Sequence, residues 1–264
     1  MGFTCPDEFV VLAHALADAA GPIALKYFRS ANLSFEQKDD ASPVTRADRE
    51  IEIELRHILA IQRPQDGIFG EEQGHSNPDA EYQWILDPID GTKPFTAGST
   101  NFGTLIALSH REQGIILGLC NQPVTKDRWT GVRNGETLFN GKPVKTRGTA
   151  TIEKAIFACN NPLSPPRDKS ALVKAVHDRA VMTTYGGVCL NYALLASGFV
   201  DIVIDSRQQI YDVAPFIPMI ENAGGKITQL NGAPIGFAMS NCVLAASTPE
   251  LHAEILALHR AVSS

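Results

Sequence analysis

The sequence predicts a layered α/β protein on three observations. Two amphipathic helical patterns open the chain, a strand-rich stretch follows between residues 67 and 132, and after about Asn140 short apolar strands alternate with helical patterns. The 264 residues are 44% hydrophobic and 20% charged, a globular composition that excludes collagen-like, coiled-coil and disordered readings. A chain of this length buries roughly three-quarters of the surface that its unfolded form exposes, enough for one large domain or two small ones.

Phe9, Leu12, Leu16, Ala20, Ile23 and Tyr27 recur at three- and four-residue steps behind Pro6-Asp7-Glu8, which suits a first helical turn. A bend is expected at Gly21-Pro22. Thr45 and Asp48 resemble a capping box, and a second helix runs from there through Ile51, Leu55 and Ile58 to Pro64. Strands follow at 67–70, 82–86, 104–109, 114–120 and 128–132, several close enough to be antiparallel neighbours. Beyond Asn140, strands at 155–158, 180–183, 200–204, 226–228 and 243–246 alternate with helices at 168–178, 189–198, 212–223 and 249–262. A boundary near Thr146–Thr151 divides the chain into residues 1–147, an α+β half with an antiparallel sheet, and residues 148–264, an α/β half. The two are expected to pack as one body.

Lys and Arg number 23 against 29 Asp and Glu, a net charge of −6, and no basic block interrupts the chain, so nucleic acid is not an expected partner. An acidic protein can still handle phosphate if divalent cations invert the field locally. Apolar runs such as Ile115–Cys120 are too short for a bilayer, and the first residues carry neither the basic region nor the apolar core of a cleavable leader. Pro6 stands where a myristoylation pattern needs Ser or Thr. The five cysteines never form C-x-x-C, so reduced, buried thiols in a reducing cytoplasm are expected, with no membrane association. None of the seven His forms an H-x-x-x-H pair, and no Ser lies in a G-x-S-x-G elbow, which argues against zinc and against a serine hydrolase.

The informative stretch is Gly70-Glu71-Glu72 followed by Trp84-Ile85-Leu86-Asp87-Pro88-Ile89-Asp90-Gly91-Thr92. Apolar residues lead into Asp87, which places that carboxylate at the end of a buried strand, and Pro88 is expected to stop further ladder pairing. Asp90-Gly91-Thr92 then reads as a turn that exposes backbone N–H groups. Taken singly, Glu71-Glu72 fits a solvated charge pair, and Asp-Pro and Asp-Gly fit ordinary turns. Taken together, and joined by a hairpin-sized connection, they fit a site that holds metal and phosphate. The chain contains neither G-x-x-x-x-G-K-[ST] nor G-x-G-x-x-G after a strand. Two Asp three apart with Pro between them differ from the two-apart spacing of the haloacid-dehalogenase phosphatases, which disfavours an aspartyl-phosphate route.

These segments resemble the inositol monophosphatase superfamily of metal-dependent phosphatases. Its first motif is matched by Gly70-Glu71-Glu72, Trp84 to Thr92 and Phe95. Its second is matched by Tyr211-Asp212-Val213-Ala214 through Glu221-Asn222-Ala223-Gly224-Gly225, and its loop before the second helix by Ser42-Pro43-Val44-Thr45-Arg46-Ala47-Asp48. The resemblance implies a five-layer α-β-α-β-α sandwich, a homodimer, and a site holding two to three Mg²⁺. It places Glu71, Asp87 and the Ile89 carbonyl on the first ion, and Asp87, Asp90 and Asp212 on the second. Glu71, Thr92 and Asp48 take the catalytic roles of activating water, while the Gly91 and Thr92 amides cradle the phosphate. Lys38 falls in the family's mobile loop. No covalent intermediate is implied. A silent, non-catalytic relative would be expected to have lost a ligand carboxylate, whereas all of these residues are present.

Within the superfamily, the Asp-Gly-Thr-Lys93 run, Phe102-Gly103-Thr104, Gln122-Pro123-Val124, Arg128-Trp129 and Tyr192 to Asp201 are similar to the histidinol-phosphate phosphatase branch. The resemblance therefore implies hydrolysis of L-histidinol phosphate, a step of histidine biosynthesis, with inositol 1-phosphate or a broad range of sugar phosphates as the alternative. Lys93, Gly186, Gly187, Asn191 and Asp205 are expected to line the head-group pocket. Val188 stands where that branch often carries an acid, and Asp205 where it carries Glu.

Overall fold

The computed structural model describes residues 3–31, 33, 35–37, 43–161, 167–240 and 242–262. Helix α1 (Asp7–Tyr27) is followed by an antiparallel pair, β1 (Phe35–Gln37) and β2 (Pro43–Thr45), and by helix α2 (Arg46–Gln62). The expected capping box starts α2: Thr45 N–H donates to Asp48 Oδ2 at 2.8 Å and Ala47 N–H donates to Thr45 Oγ1 at 3.1 Å. Helix α1 runs without interruption through Gly21-Pro22. At 21 residues it is long and apolar enough to cross a membrane, a match that a search for unbroken apolar runs overlooks. Its Phe9, Leu12, Leu16 and Ala20 are buried in the core.

A sheet of eight strands comes next. It comprises β3 (Gly67–Gly70), β4 (Gly74–Ser76), β5 (Tyr82–Asp90), β6 (Gly103–His110), β7 (Gly114–Gln122), β8 (Asp127–Val132), β9 (Thr137–Phe139) and β10 (Lys142–Pro143), in the order β10-β9-β8-β7-β6-β5-β3-β4. Strands β3 and β5 are parallel, because the chain turns back through β4 on the outer edge before β5 joins from the other side. The connection between Glu71 and Asp87 is thus a return along the sheet edge rather than a simple hairpin. Pro88 does not end β5: Asp87 faces Leu105 and Asp90 faces Gly103 of β6, so the proline produces a register shift between them. A five-residue helix α3 (Thr92–Thr96) occupies what reads in the sequence as a plain turn.

The five-stranded sheet has the order β12-β11-β13-β15-β14, from β11 (Ile156–Cys159), β12 (Met182–Tyr185), β13 (Ile202–Ser206), β14 (Lys226–Gln229) and β15 (Cys242–Ala246). Helices α4 (Arg167–Arg179), α5 (Cys189–Ala196), α6 (Ile210–Val213), α7 (Phe216–Ala223) and α8 (Pro249–Val262) complete it. The helix expected over 212–223 is two helices separated at Ala214-Pro215, where proline offers no N–H to continue the ladder.

Strand alternation builds the layers. Ile106, Leu108, Leu117 and Leu119 face α1 and α2, whereas Leu105, Cys120 and Trp129 point the other way into a core shared with α5 and α7. The second sheet repeats the rule. Ala158, Val203, Val243 and Ala245 enter that shared core, and Phe157, Ile202, Ile204, Leu244 and Ala246 pack against α4 and α8. The result is the expected five-layer α-β-α-β-α sandwich. Sheets covered on both faces need continuous apolar strands, and the burial of all eight β6 residues and all five β15 residues follows from that. All five cysteines are free and buried.

Candidate functional site

Asp87 and Asp90 stand on either side of the β5 register shift, and Asp212 is the third residue of α6, where Gln209 N–H donates to its Oδ2 at 2.7 Å. One carboxylate oxygen from each of the three lies within 4.8 Å of the others. Crowding anions away from water is costly, and their acidities record it. Burial, then the charge of Glu71, holds Asp87 well above the usual carboxylate range, and burial, then Asp90, does the same to Asp212. Burial pushes Asp90 up to about 6, although the Cys189 thiol and N–H oppose the rise. That N–H donates to Asp90 Oδ2 at 2.7 Å. Asp87 Oδ1 is buried and has no hydrogen-bond partner. An all-oxygen set with an orphaned carboxylate oxygen at its centre fits a hard divalent cation, so the residues present suit Mg²⁺.

Asp48 links this cluster to α2. Its Oδ2 caps the helix and accepts from Thr45 Oγ1 at 2.5 Å, while its Oδ1 lies 3.3 Å from Thr92 Oγ1. The Thr92 hydroxyl is also 3.1 Å from the carbonyl of Ile89, so this one hydroxyl bridges the helix cap and the strand carrying Asp87. Burial raises the Asp48 carboxyl above its ordinary value. Gly91 has φ of 92°, a left-handed conformation that glycine adopts without strain. A β-carbon there would lie 2.7 Å from the Asn101 carbonyl.

A cavity of about 510 Å³ opens beside the acids. Glu71, Asp90, Gly91, Thr92 and Lys93 line one wall, and Asn160, Gly186, Val188, Asp205, Arg207 and Asp212 line the other. Asp205, on β13, is 3% exposed: its Oδ1 accepts from Asn160 N–H at 2.8 Å, whereas its Oδ2 and the nearby Tyr192 hydroxyl have no partner in hydrogen-bonding geometry. Burial pushes Asp205 up to about 7. Two other expected residues sit just behind this lining, Gly187 between Gly186 and Val188 and Asn191 against Gly187. Gly187 and Asn191 are not on the cavity surface; Asn191 is buried in α5 and its side chain packs over the Gly187 α-carbon, because the turn into α5 aims it at the core. Lys38 lies outside the described residues.

Asn160 and Cys189 carry no signal in the sequence, and Val188 is marked there only by the resemblance, as an apolar residue where an acid is often found. Asn160 bonds both Asp205 and the Val188 N–H, the latter at 3.0 Å. Cys189 bonds Asp90. Val188 holds φ of 47° and ψ of −134°, unusual for a β-branched residue, with its Cγ2 against Gly91. Each contact joins residues about 30 to 100 positions apart, beyond the reach of any local pattern.

Residues 6–264 match the model of the inositol monophosphatase family. The chain is 39% identical over 259 residues to the bifunctional phosphatase IMPL2, chloroplastic, of Arabidopsis thaliana, with 95% of this chain and 74% of that protein covered. It is 33% identical over 216 residues to a histidinol-phosphatase of Chlorobaculum parvum, covering 81% and 83% of the two chains. The solved inositol monophosphatase of Zymomonas mobilis shares its fold with a TM-score of 0.87 and 38% identity, over 96% of this chain and 98% of that one.

Proposed function

The chain belongs to the inositol monophosphatase family and is a phosphoric monoester hydrolase, and from that premise we propose that it hydrolyses L-histidinol phosphate with Mg²⁺ as its cofactor. Glu71, Asp87, Asp90, Asp212 and the Ile89 carbonyl would hold two to three ions. When bound, the metal supplies the positive charge that offsets repulsion between an anionic ester and its attacking water. The remaining work belongs to the chain. Thr92, held between Asp48 and Ile89, orients the water through its hydroxyl. Glu71 accepts the proton that the water gives up. The Gly91 and Thr92 amides and Lys93 bind the phosphoryl oxygens.

One observation carries the substrate reading: Asp205, a buried carboxylate among the cavity-lining residues, whose Oδ2 has only the Tyr192 hydroxyl near it among the described residues. A buried carboxylate with no basic side chain as its partner among those residues favours a donor-bearing or cationic head group, and histidinol offers both an ammonium and an imidazole. The apolar Val188 beside it supports a second reading, in which an uncharged polyol such as inositol 1-phosphate is accepted. Phosphate release from histidinol phosphate, inositol 1-phosphate and fructose 1,6-bisphosphate in Mg²⁺ ranks the two. Preference for histidinol phosphate is expected, and equal, slow turnover of all three would defeat the assignment. A homodimer and a cytoplasmic setting belong to the same proposal; sedimentation of the purified protein tests the first, and the second is tested by fractionating cells that express it.

A further inference from the structure

Helix α2 presents two fully buried carboxylates one turn apart, Asp48 and Glu52. The first reaches Thr92. The second enters the turn that follows β3: Glu52 Oε2 accepts from Glu72 N–H at 2.8 Å, and Oε1 accepts from Gln73 N–H at 3.0 Å. Arg56, one turn further along α2, donates from Nε to Oε1 at 2.8 Å. Its Nη2 donates to the Gly74 carbonyl at 2.6 Å. The β3 backbone passes so close that a β-carbon on Gly70 would lie 2.2 Å from Glu52 Oε1. On its other side the segment is pinned by β5, where the Glu71 N–H donates to the Leu86 carbonyl at 3.1 Å.

A tight turn at a sheet edge normally satisfies its amides with its own backbone or with water, so a desolvated carboxylate is an expensive way to do it. The expense is understandable where one side chain must be held within a fraction of an ångström, and Glu71 projects from the middle of this gripped segment. Arg56 also neutralises Glu52, so the grip adds no net negative charge next to four other acids. We propose that Glu52 is a positioning residue for Glu71, with Arg56 as its counter-ion. Through Asp48 and Glu52, a single helix then sets the distance between Thr92 and Glu71. This inference rests on the reading of Glu71 as a ligand of the cation.

The test measures Mn²⁺ binding to the chelator-stripped full chain, by the paramagnetic resonance signal of free Mn²⁺. Glu52→Gln is expected to raise the Kd about tenfold, within the range by which groups that orient ligands tune metal affinity. Asp66→Asn breaks the Arg63–Asp66 pair at the far end of α2 and is the control for destabilisation alone; its Kd is expected to stay within about twofold of wild type. Glu71→Gln is measured alongside. If Glu71→Gln weakens binding while Glu52→Gln does not, or if Asp66→Asn weakens it as much as Glu52→Gln, the positioning role is overturned. If Glu71→Gln itself binds as wild type does, the underlying reading of Glu71 fails instead. Should Glu52→Gln not fold, Arg56→Gln carries the test, with an expected rise of about threefold; wild-type affinity in that variant overturns the proposal.

Discussion

On the wall of the cavity built from residues 71–93, the functional groups sit on adjoining segments at the ends of β3 and β5 and the start of α3, with Asp48 of α2 behind Thr92. On the facing wall, Asn160, Val188, Asp205 and Asp212 come from four separate segments and meet only because β11, β13, α5 and α6 are packed side by side. The first wall and Asp212 of the second concentrate anions around a shared centre, and Asn160, Val188 and Asp205 are the groups that would meet the body of a substrate. Under the proposed function, chemistry falls to a device contiguous in the chain except for Asp212, and recognition to a dispersed one. Changes on the first wall or at Asp212 should abolish turnover for every substrate, whereas changes at Asn160, Val188 or Asp205 should re-rank substrates.

The sharpest way to break that comparison is Asp87→Asn. Loss of charge at the centre of the cluster is expected to lower kcat by about a thousandfold or more for all three phosphate esters, the scale of several kcal/mol of lost charge stabilisation. The fold should survive, since Asp87 Oδ1 makes no hydrogen bond that would be lost; circular dichroism and a thermal melt check this. Substantial activity in this variant would show that the acids are not the chemical centre. Asp205→Asn, on the facing wall, should cost about tenfold to a hundredfold in kcat/KM for histidinol phosphate and little for inositol 1-phosphate. Equal losses on both esters would erase the proposed division of labour.

Stability against pH separates Asp205 from the clustered acids without any substrate. Asp90 is raised to about 6 and Asp205 to about 7, both above the ordinary carboxylate value of the unfolded chain. Between pH 4 and 7 the folded state therefore binds more protons than the unfolded state, and stability falls as pH rises. Melts of the chelated protein should show that fall, and saturating Mg²⁺ should remove the share due to Asp90 while leaving that of Asp205. A flat profile in chelator would refute it. The smallest effect is at Val188, whose positive φ inverts the usual order of substitutions: Val188→Gly is expected to be more stable than Val188→Ala by about 1 kcal/mol. Chemical denaturation measures the difference, and the opposite order would mean that this residue carries no backbone strain.

The contrast also explains what could be read early. Glu71, Asp87, Asp90 and Thr92 lie within 22 positions of one another in the sequence, so their spacing alone suggested a metal and phosphate site. The Thr45–Asp48 cap was equally legible, because a capping box is a four-residue pattern. Asn191 went the other way: its position suggested the pocket, and the turn into α5 directs it into the core. Glu52 carries no signal in the sequence, since nothing in its neighbourhood announces the turn it holds.

By itself the sequence determined the periods of its strands and helices, and with them the layered class, together with the acidic motif whose members are chain neighbours. These are consequences of local geometry, in which side-chain direction repeats every two or every 3.6 residues. Only the tertiary structure decided that β3 runs parallel to β5, that Pro88 shifts a register instead of ending a strand, and that Asn160, Cys189 and Asp205, all from the second half of the chain, come to the site. Those outcomes depend on how apolar faces stack once water is expelled, and stacking brings together residues that no pattern along the chain relates.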